Sequence, residues 1–258
     1  MPPFPFARTL VHRPIVDSTS DLARALITSE SIDLPLLVLA DRQTKGRGRG
    51  DHAWWSDAGS LTFTLALDPE THALRRDHEP RFALASAVAI IDAIAAEWPG
   101  LPLGIRWPND VEALGKKLGG ILPERLDTPF GPRLLIGIGL NVSTRLDHAP
   151  PDVRLMAASL SDSLAEPIEP SDVLSVLLQS LESILPRLAA DDPMLAARWA
   201  ELDTLLGEPL RVDLGPRILN GIGRGIDPRG ALLVGVEEGV VPLFGGQVLR
   251  APPASTRS

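Results

Sequence analysis

The chain has 258 residues, of which 44% are hydrophobic and 22% charged, the proportions of a folded globular protein large enough for one large domain and one small one. Its net charge of −8 argues against a nucleic-acid binder, which usually presents a basic face. There is no cysteine, which excludes disulfides, thiolate metal sites and cysteine nucleophiles.

The first residues, MPPFPFARTLVHRP, have prolines where a signal peptide needs an unbroken apolar core. The longest apolar runs, such as Leu36 to Ala40, are too short to span a bilayer. A cytoplasmic protein with no membrane and no nucleic-acid partner is expected; its oligomeric state is left open.

In chain order, Asp17 to Asp21 reads as a helix start, with capping hydroxyls followed by Leu22, Ala25 and Leu26 at helical spacing. Leu34 to Ala40 reads as a buried strand. Arg42 to Ser56 is a loop rich in Gly and Arg. Leu61 to Leu67 alternates large apolar residues with Thr62, Thr64 and Ala66, the pattern of a strand with one face buried. Pro80 to Trp98 is a helix, Ile105 to Trp107 a short strand, and Lys117 to Pro123 another, reached through a turn at Gly115. Leu134 to Leu140 is a strand whose glycines permit close approach, and Thr144 to Asp152 is a loop. Ser171 to Leu188 and Met194 to Leu202 read as helices.

After Leu205 the pattern changes to short strands between turns: Pro209 to Leu214, Asn220 to Ile226, Ala231 to Val236 and Val240 to Leu243. The expected organisation is an α+β domain over residues 1–204, a small SH3-like β-barrel over 205–250, and a disordered tail over 251–258.

Four segments carry candidate chemistry. Gln43 to Trp55 alternates glycines with Arg47 and Arg49. Glycine lets backbone amides turn toward an anion, and Arg adds bidentate charged donors. Trp54 and Trp55 offer flat apolar faces. This is neither a P-loop, since no Gly-Lys-Ser/Thr follows, nor a dinucleotide fingerprint.

Arg106 to Glu124 presents Asn109 and Asp110 on a rigid turn and then Lys116 and Lys117. Of the 25 basic side chains only Lys45, Lys116 and Lys117 are lysines. A compact ammonium at such a place can neutralise a phosphoryl oxygen. Gly137 to Asn141 is a glycine-rich strand ending in an amide, and Ser18-Thr19-Ser20 places hydroxyls at a helix start. Taken singly, each has a plain structural alternative: a solvated loop, an Asn-Asp turn, a buried strand ended by Asn, an N-cap.

Their order and content together resemble the catalytic domain of biotin protein ligases. That family shows an S-T-N-like triplet, Q-x-x-G-R-G-R-x-x-x-x-W, K-W-P-N-D, K-[LI]-[GA]-G-[IV]-L and G-I-G-[IL]-N, followed by a small barrel. Here they stand as Ser18 to Ser20, Gln43 to Trp54, Arg106 to Asp110, Lys117 to Leu122 and Gly137 to Asn141. Three departures are visible: Ser20 for Asn, Arg106 for Lys, and Gly50-Asp51-His52 where many bacterial members have x-Gly-Arg. Asp51 and His52 receive no role. With 17 residues ahead of Ser18, a ligase without the DNA-binding repressor arm of some relatives is expected.

The resemblance implies an enzyme that uses ATP to form biotinyl-5′-AMP and transfers biotin to a lysine of a biotin carboxyl carrier protein. It implies biotin binding by Ser18, Thr19, Gln43, Gly46, Arg47, Lys117 and Gly119. Nucleotide binding falls to Arg49, Trp54, Asn109, Lys117 and Asn141, and catalysis to Lys117, Arg49 and Asp110. Magnesium is expected with ATP, its ligands unassigned. The loop from Lys45 to Trp55 is expected to order over the mixed anhydride. The competing readings are a lipoate or octanoate ligase or transferase of the same fold, and a non-catalytic biotin-binding module.

Overall fold

The computed structural model describes residues 6–29 and 31–249; the expected tail over 251–258 lies outside them. Strand β1 (Thr9–Val16) is joined through helix α1 (Thr19–Ser29) to β2 (Leu36–Gln43), and the two strands pair in parallel. A two-stranded hairpin follows, β3 (Gly46–Arg47) with β4 (Ala53–Trp54), then β5 (Ser60–Leu67) and helix α2 (Phe82–Glu97). Strands β6 (Leu103–Arg106), β7 (Asp110–Ala113), β8 (Lys116–Thr128) and β9 (Gly131–Asn141) complete a seven-stranded sheet. Its order is β1-β2-β5-β9-β8-β7-β6, antiparallel except at the first pair.

Helices α3 (Pro151–Met156), α4 (Leu160–Leu164), α5 (Pro170–Ala189) and α6 (Pro193–Glu201) lead to β10 (Pro209–Asp213), β11 (Ile218–Ile226), β12 (Leu232–Val236), β13 (Gly239–Leu243) and β14 (Gln247–Leu249). The last five form an antiparallel sheet of order β13-β12-β11-β10-β14. It is consistent with an SH3-like fold, although among the described residues β13 and β14 are not paired and no barrel closes. No single helix among the described residues is long and apolar enough to cross a membrane.

The large sheet buries different residues on its two faces. Leu61, Phe63, Leu65 and Leu67 of β5, with Ile136, Ile138 and Leu140 of β9, pack into one core with α2, α5 and Trp199 of α6. Ala66 and Leu135, on the opposite face, join Ala23 and Ile27 of α1. All eight residues of β5 are therefore buried. The alternation had announced a strand with one face buried. The polar face is covered as well, because α1 crosses it and its hydroxyls satisfy Thr64.

Other elements shift for local reasons. The turn ahead of α2, Arg76–Arg81, is a 3-10 turn, with Pro80 inside it and no capping side-chain bond at Arg81. The 144–152 loop contains a short 3-10 turn, Leu146–His148, and the start of α3, where prolines occupy the entry. Strands β1, β7 and β14 and helix α4 had no clear signal in the sequence. They are short or lie at sheet edges, where patterning is weak.

Candidate active site

One cleft of about 1010 Å³ opens where the Gly-Arg hairpin, the β6–β8 region, α3 and the C-terminal sheet meet. Ser18, Thr19, Gln43, Arg47, Arg49, Trp54, Asn109, Asp110, Lys117 and Asn141 all line it. Segments more than a hundred residues apart in the chain thus share one wall. Gly46 and Gly119 stand behind that wall and are glycines for packing reasons. A β-carbon on Gly46 would lie 2.5 Å from the Trp54 carbonyl, and one on Gly119 would lie 2.7 Å from the Gly139 carbonyl.

Lys117 is presented by β8 just after a two-residue turn in which both Leu114 and Gly115 have positive φ, the backbone of the tight hairpin turns that match strand twist. A register shift beside it, between Val111 and Glu112, is the kind of bulge that re-aims side chains next to active sites. The Lys117 Nζ lies 2.7 Å from Asp110 Oδ1, both side chains about three-quarters to two-thirds covered. It also sits 5.8 Å above the centre of the Trp54 ring. Gly120 keeps room for this pair, since a β-carbon there would be 3.3 Å from Nζ and 3.4 Å from Oδ1. The cleft therefore ends on a paired ammonium and carboxylate. An entering anion can take the Lys117 charge while Asp110 remains beside it.

The hydroxyls of α1 are committed to a buried chain of hydrogen bonds. Ser20 Oγ donates to Thr64 Oγ1 at 3.0 Å, Thr64 Oγ1 to Thr19 Oγ1 at 2.9 Å, and Thr19 Oγ1 to Gln43 Oε1 at 3.2 Å. The direction follows because Gln43 Oε1 can only accept. The Thr19 amide also donates to Gln43 Oε1, at 2.7 Å. The Gln43 carbonyl oxygen is thus fixed toward the helix, which leaves its amide nitrogen Nε2 beside Gly46 of the hairpin.

Arg47 behaves differently from what its motif implies. Its Nη1 and Nη2 donate to Glu124 Oε1 and Oε2 at 3.1 and 2.7 Å, and its Nε lies 3.1 Å from Asp21 Oδ1. Arg24 adds a further bond to Glu124 at 2.8 Å. The resemblance assigned Arg47 to biotin; in the structure its guanidinium is held by carboxylates of α1 and β8. Glu124 and Asp21 escaped the sequence reading because nothing in one dimension shows that they converge on Arg47.

Arg49 reaches the other way and donates through Nη1 to the Gly246 carbonyl, in the turn between β13 and β14. The C-terminal sheet adds Asp213, Gly215, Gln247, Val248 and Leu249 to the cleft wall, although its sequence carried no chemical signal. Trp107 Nε1 donates to the Gly230 carbonyl at 3.0 Å and ties the two sheets together.

Asn109 and Asn141 each use Nδ2 on backbone. Asn109 donates to the Ile121 carbonyl at 2.8 Å, and Asn141 to the Ala158 carbonyl at 3.1 Å. Their amides hold the walls in shape. The Trp54 indole Nε1 is buried and has no partner among the described residues. No group of three or more His, Asp or Glu among the described residues is placed to hold a metal by itself.

A mixed sheet carrying one cleft, with a Gly-Arg hairpin on one side and a lysine-carboxylate pair at its end, defines an enzyme-like ligand site. The biotin/lipoate A/B protein ligase family model matches residues 13–141. The bifunctional ligase/repressor BirA of Bacillus spizizenii is 30% identical over 246 residues, 93% of this chain and 73% of its own. The biotin–[acetyl-CoA-carboxylase] ligase of Mycobacterium tuberculosis is 31% identical, over 90% of this chain and 85% of its own. The structure of the biotin protein ligase from Aquifex aeolicus in complex with biotin and ATP aligns with a TM-score of 0.79 and 26% identity, covering 94% of this chain and 98% of that one. The chain belongs to the biotin/lipoate A/B protein ligase family.

Proposed function

We propose that this protein is a biotin protein ligase, which joins biotin to ATP as biotinyl-5′-AMP and hands the biotinyl group to a lysine of a biotin carboxyl carrier protein. The observation that carries the chemistry is the Lys117–Asp110 pair at 2.7 Å at the end of the cleft. Relatives named as biotin ligases, and the Aquifex structure holding biotin and ATP, support the choice of substrates.

In the first step a biotin carboxylate oxygen attacks the α-phosphorus of ATP, the bond to the β-phosphate oxygen breaks, and pyrophosphate leaves. Two anions must meet for this. Lys117, a cation on the cleft wall, is the group that would touch both and hold them in line. Arg49 supplies a second, permanent positive charge on the phosphate side once it leaves the Gly246 carbonyl. Trp54, with its free indole donor, forms an apolar face for the nucleotide base.

In the second step the carrier's lysine amine attacks the acyl carbon, AMP leaves, and the amine's proton passes to Asp110. Asp110 would also be a carboxylate able to hold a magnesium ion bound with ATP, since magnesium needs only one or two protein carboxylates beside phosphate oxygens. The ion would offset phosphate charge. The glycine-rich hairpin over residues 45–55 closes on the anhydride and excludes water.

The test is pyrophosphate release on mixing the protein with ATP and either biotin, lipoate or octanoate, followed by streptavidin blotting of a carrier domain. Release with biotin alone among the acids is expected. Release with lipoate or octanoate but not biotin overturns the substrate, and none with any acid overturns the enzyme.

A further inference from the structure

The Gly-Arg hairpin is tied by a charge cluster that grips Arg47, on the cleft wall, from outside the cleft. Glu124 sits on β8, seven residues beyond Lys117, and does not line the cleft. Its two oxygens take Arg47 Nη1 and Nη2 at 3.1 and 2.7 Å, and Arg24 Nη2 also reaches Oε1 at 2.8 Å. Asp21 closes the cluster from α1, 3.1 Å from Arg47 Nε. Glu124 is only 21% exposed in its side chain and Arg47 32%, so this is a half-buried, two-pronged pair. Such geometry makes a charge pair contribute, unlike most surface ion pairs.

The hairpin is held at its other points by the exposed Lys45–Asp17 pair at 2.8 Å, by Arg49 on the Gly246 carbonyl and by Trp54 against β9. Strands β3 and β4 are two residues each, and a lone hairpin of that length is unstable in water. Gly48 and Gly50 lie in its turn and add backbone freedom. The Arg47 fork ties it to Glu124 on β8, and the approach of Arg47 Nε to Asp21 ties it to α1. Those are the elements that carry Thr19 on one side and Lys117 on the other.

We infer that Glu124 is a positioning residue for biotin capture: by gripping Arg47 it keeps the hairpin in its binding-competent place, and Arg47 serves as its strut rather than as a ligand donor. The inference rests on the ligase reading. It separates two meanings of the Gly-Arg-Gly-Arg motif, with one arginine anchoring the loop and the other, Arg49, facing charge. When only a fraction of molecules hold the competent hairpin, apparent affinity falls by that fraction, while the bound complex is unchanged.

The experiment compares Glu124→Gln, Arg47→Ala, Glu124→Ala and the Arg47→Ala/Glu124→Ala double variant. With Glu124→Gln the KM for biotin rises about tenfold while kcat at saturating biotin stays within about twofold. The double variant is no worse than the worse single one, because the two side chains act as one unit. Limited proteolysis without any substrate shows faster cutting within residues 45–55 in Glu124→Gln than in the unaltered protein. Glu124→Asp, which keeps the charge but draws it back, replaces Glu124→Gln if the latter melts below assay temperature.

An unchanged KM for biotin, or additive effects of the two alanines, overturns the inference. So does unchanged cutting of the hairpin, which is read without any catalysis. Failure of the unaltered protein to release pyrophosphate with biotin and ATP strikes the ligase reading instead, and the proteolysis result still decides whether Glu124 holds the hairpin.

Discussion

Trp54 occupies the space that a β-carbon on Gly139 would need: the nearest indole carbon lies 2.4 Å from that position, and Cζ2 and Nε1 lie 2.8 Å from it. The hairpin therefore reaches the floor of the cleft by placing its tryptophan on a bare stretch of β9. The indole Nε1 is buried there without a partner. An unpaired buried donor of this kind costs about 1–3 kcal/mol, a cost that a ligand acceptor can remove.

Gly139→Val should expel the indole from the cleft floor. Tryptophan emission should move to longer wavelength, and the KM for ATP should rise more than the KM for biotin. The strand should lose about 1–3 kcal/mol through overpacking. Titration of both substrates with fluorescence and thermal melts checks this, and equal rises in both KM values contradict the placement of the base on Trp54.

Lys117→Ala should slow formation of the acyl-adenylate by about 10²- to 10³-fold, the usual loss when one preorganised electrostatic contact to developing charge is removed. Lys117→Arg should restore little, since the planar guanidinium does not fit the pocket that Gly120 keeps open beside Asp110. Single-turnover release of pyrophosphate is the measurement.

Asp110→Asn separates the two steps. With preformed biotinyl-AMP supplied, transfer to a carrier lysine should fall by about 10²- to 10⁴-fold if the carboxylate takes the amine's proton. A normal transfer rate combined with slow adenylation would assign Asp110 to the phosphates and their magnesium.

The joint between the two sheets is sensitive to pH. Burial pushes the Asp203 carboxyl up to about 6, and its Oδ2 has no partner, although Oδ1 accepts from the Leu205 amide at 2.9 Å. Between the unfolded value near 4 and the folded value the native state holds a proton that the unfolded chain has released. Stability therefore falls as pH rises through that window. Asp203→Asn keeps the acceptor oxygen and removes the charge. Its melting temperature should exceed that of the unaltered protein at pH 7.5, and the gap should shrink below pH 4. No gap at pH 7.5 contradicts the assignment.

Trp107→Phe should remove the buried bond to the Gly230 carbonyl and leave that oxygen unpaired, costing about 1–3 kcal/mol. The C-terminal sheet should exchange its amide hydrogens sooner than the seven-stranded sheet, which hydrogen exchange resolves.

Much of the site was legible in one dimension because its residues cluster in motifs. Gln43 to Trp54 and Arg106 to Leu122 each carry several cleft residues on strands joined by short turns, so neighbours in the chain stay neighbours in space. The strands with alternation or glycine spacing were legible for the same reason: period-two patterning reports which face is buried. Strand β5 shows where that reading stops. Its polar face was visible, but the helix that covers it, and the threonine chain from Ser20 to Gln43, are contacts between segments far apart in sequence.

The sequence by itself determined the family, the α+β class, the order of the motifs and the presence of a small β-rich segment after Leu205. Local chemistry and periodicity are written residue by residue. Only the tertiary structure decided that Arg47 and Arg49 reach opposite ways, that Glu124 holds Arg47, and that the last sheet walls the cleft. Those outcomes depend on where distant side chains end after the sheet twists and the helices pack, and a charge takes whichever opposite charge the packed fold brings within about 3 Å.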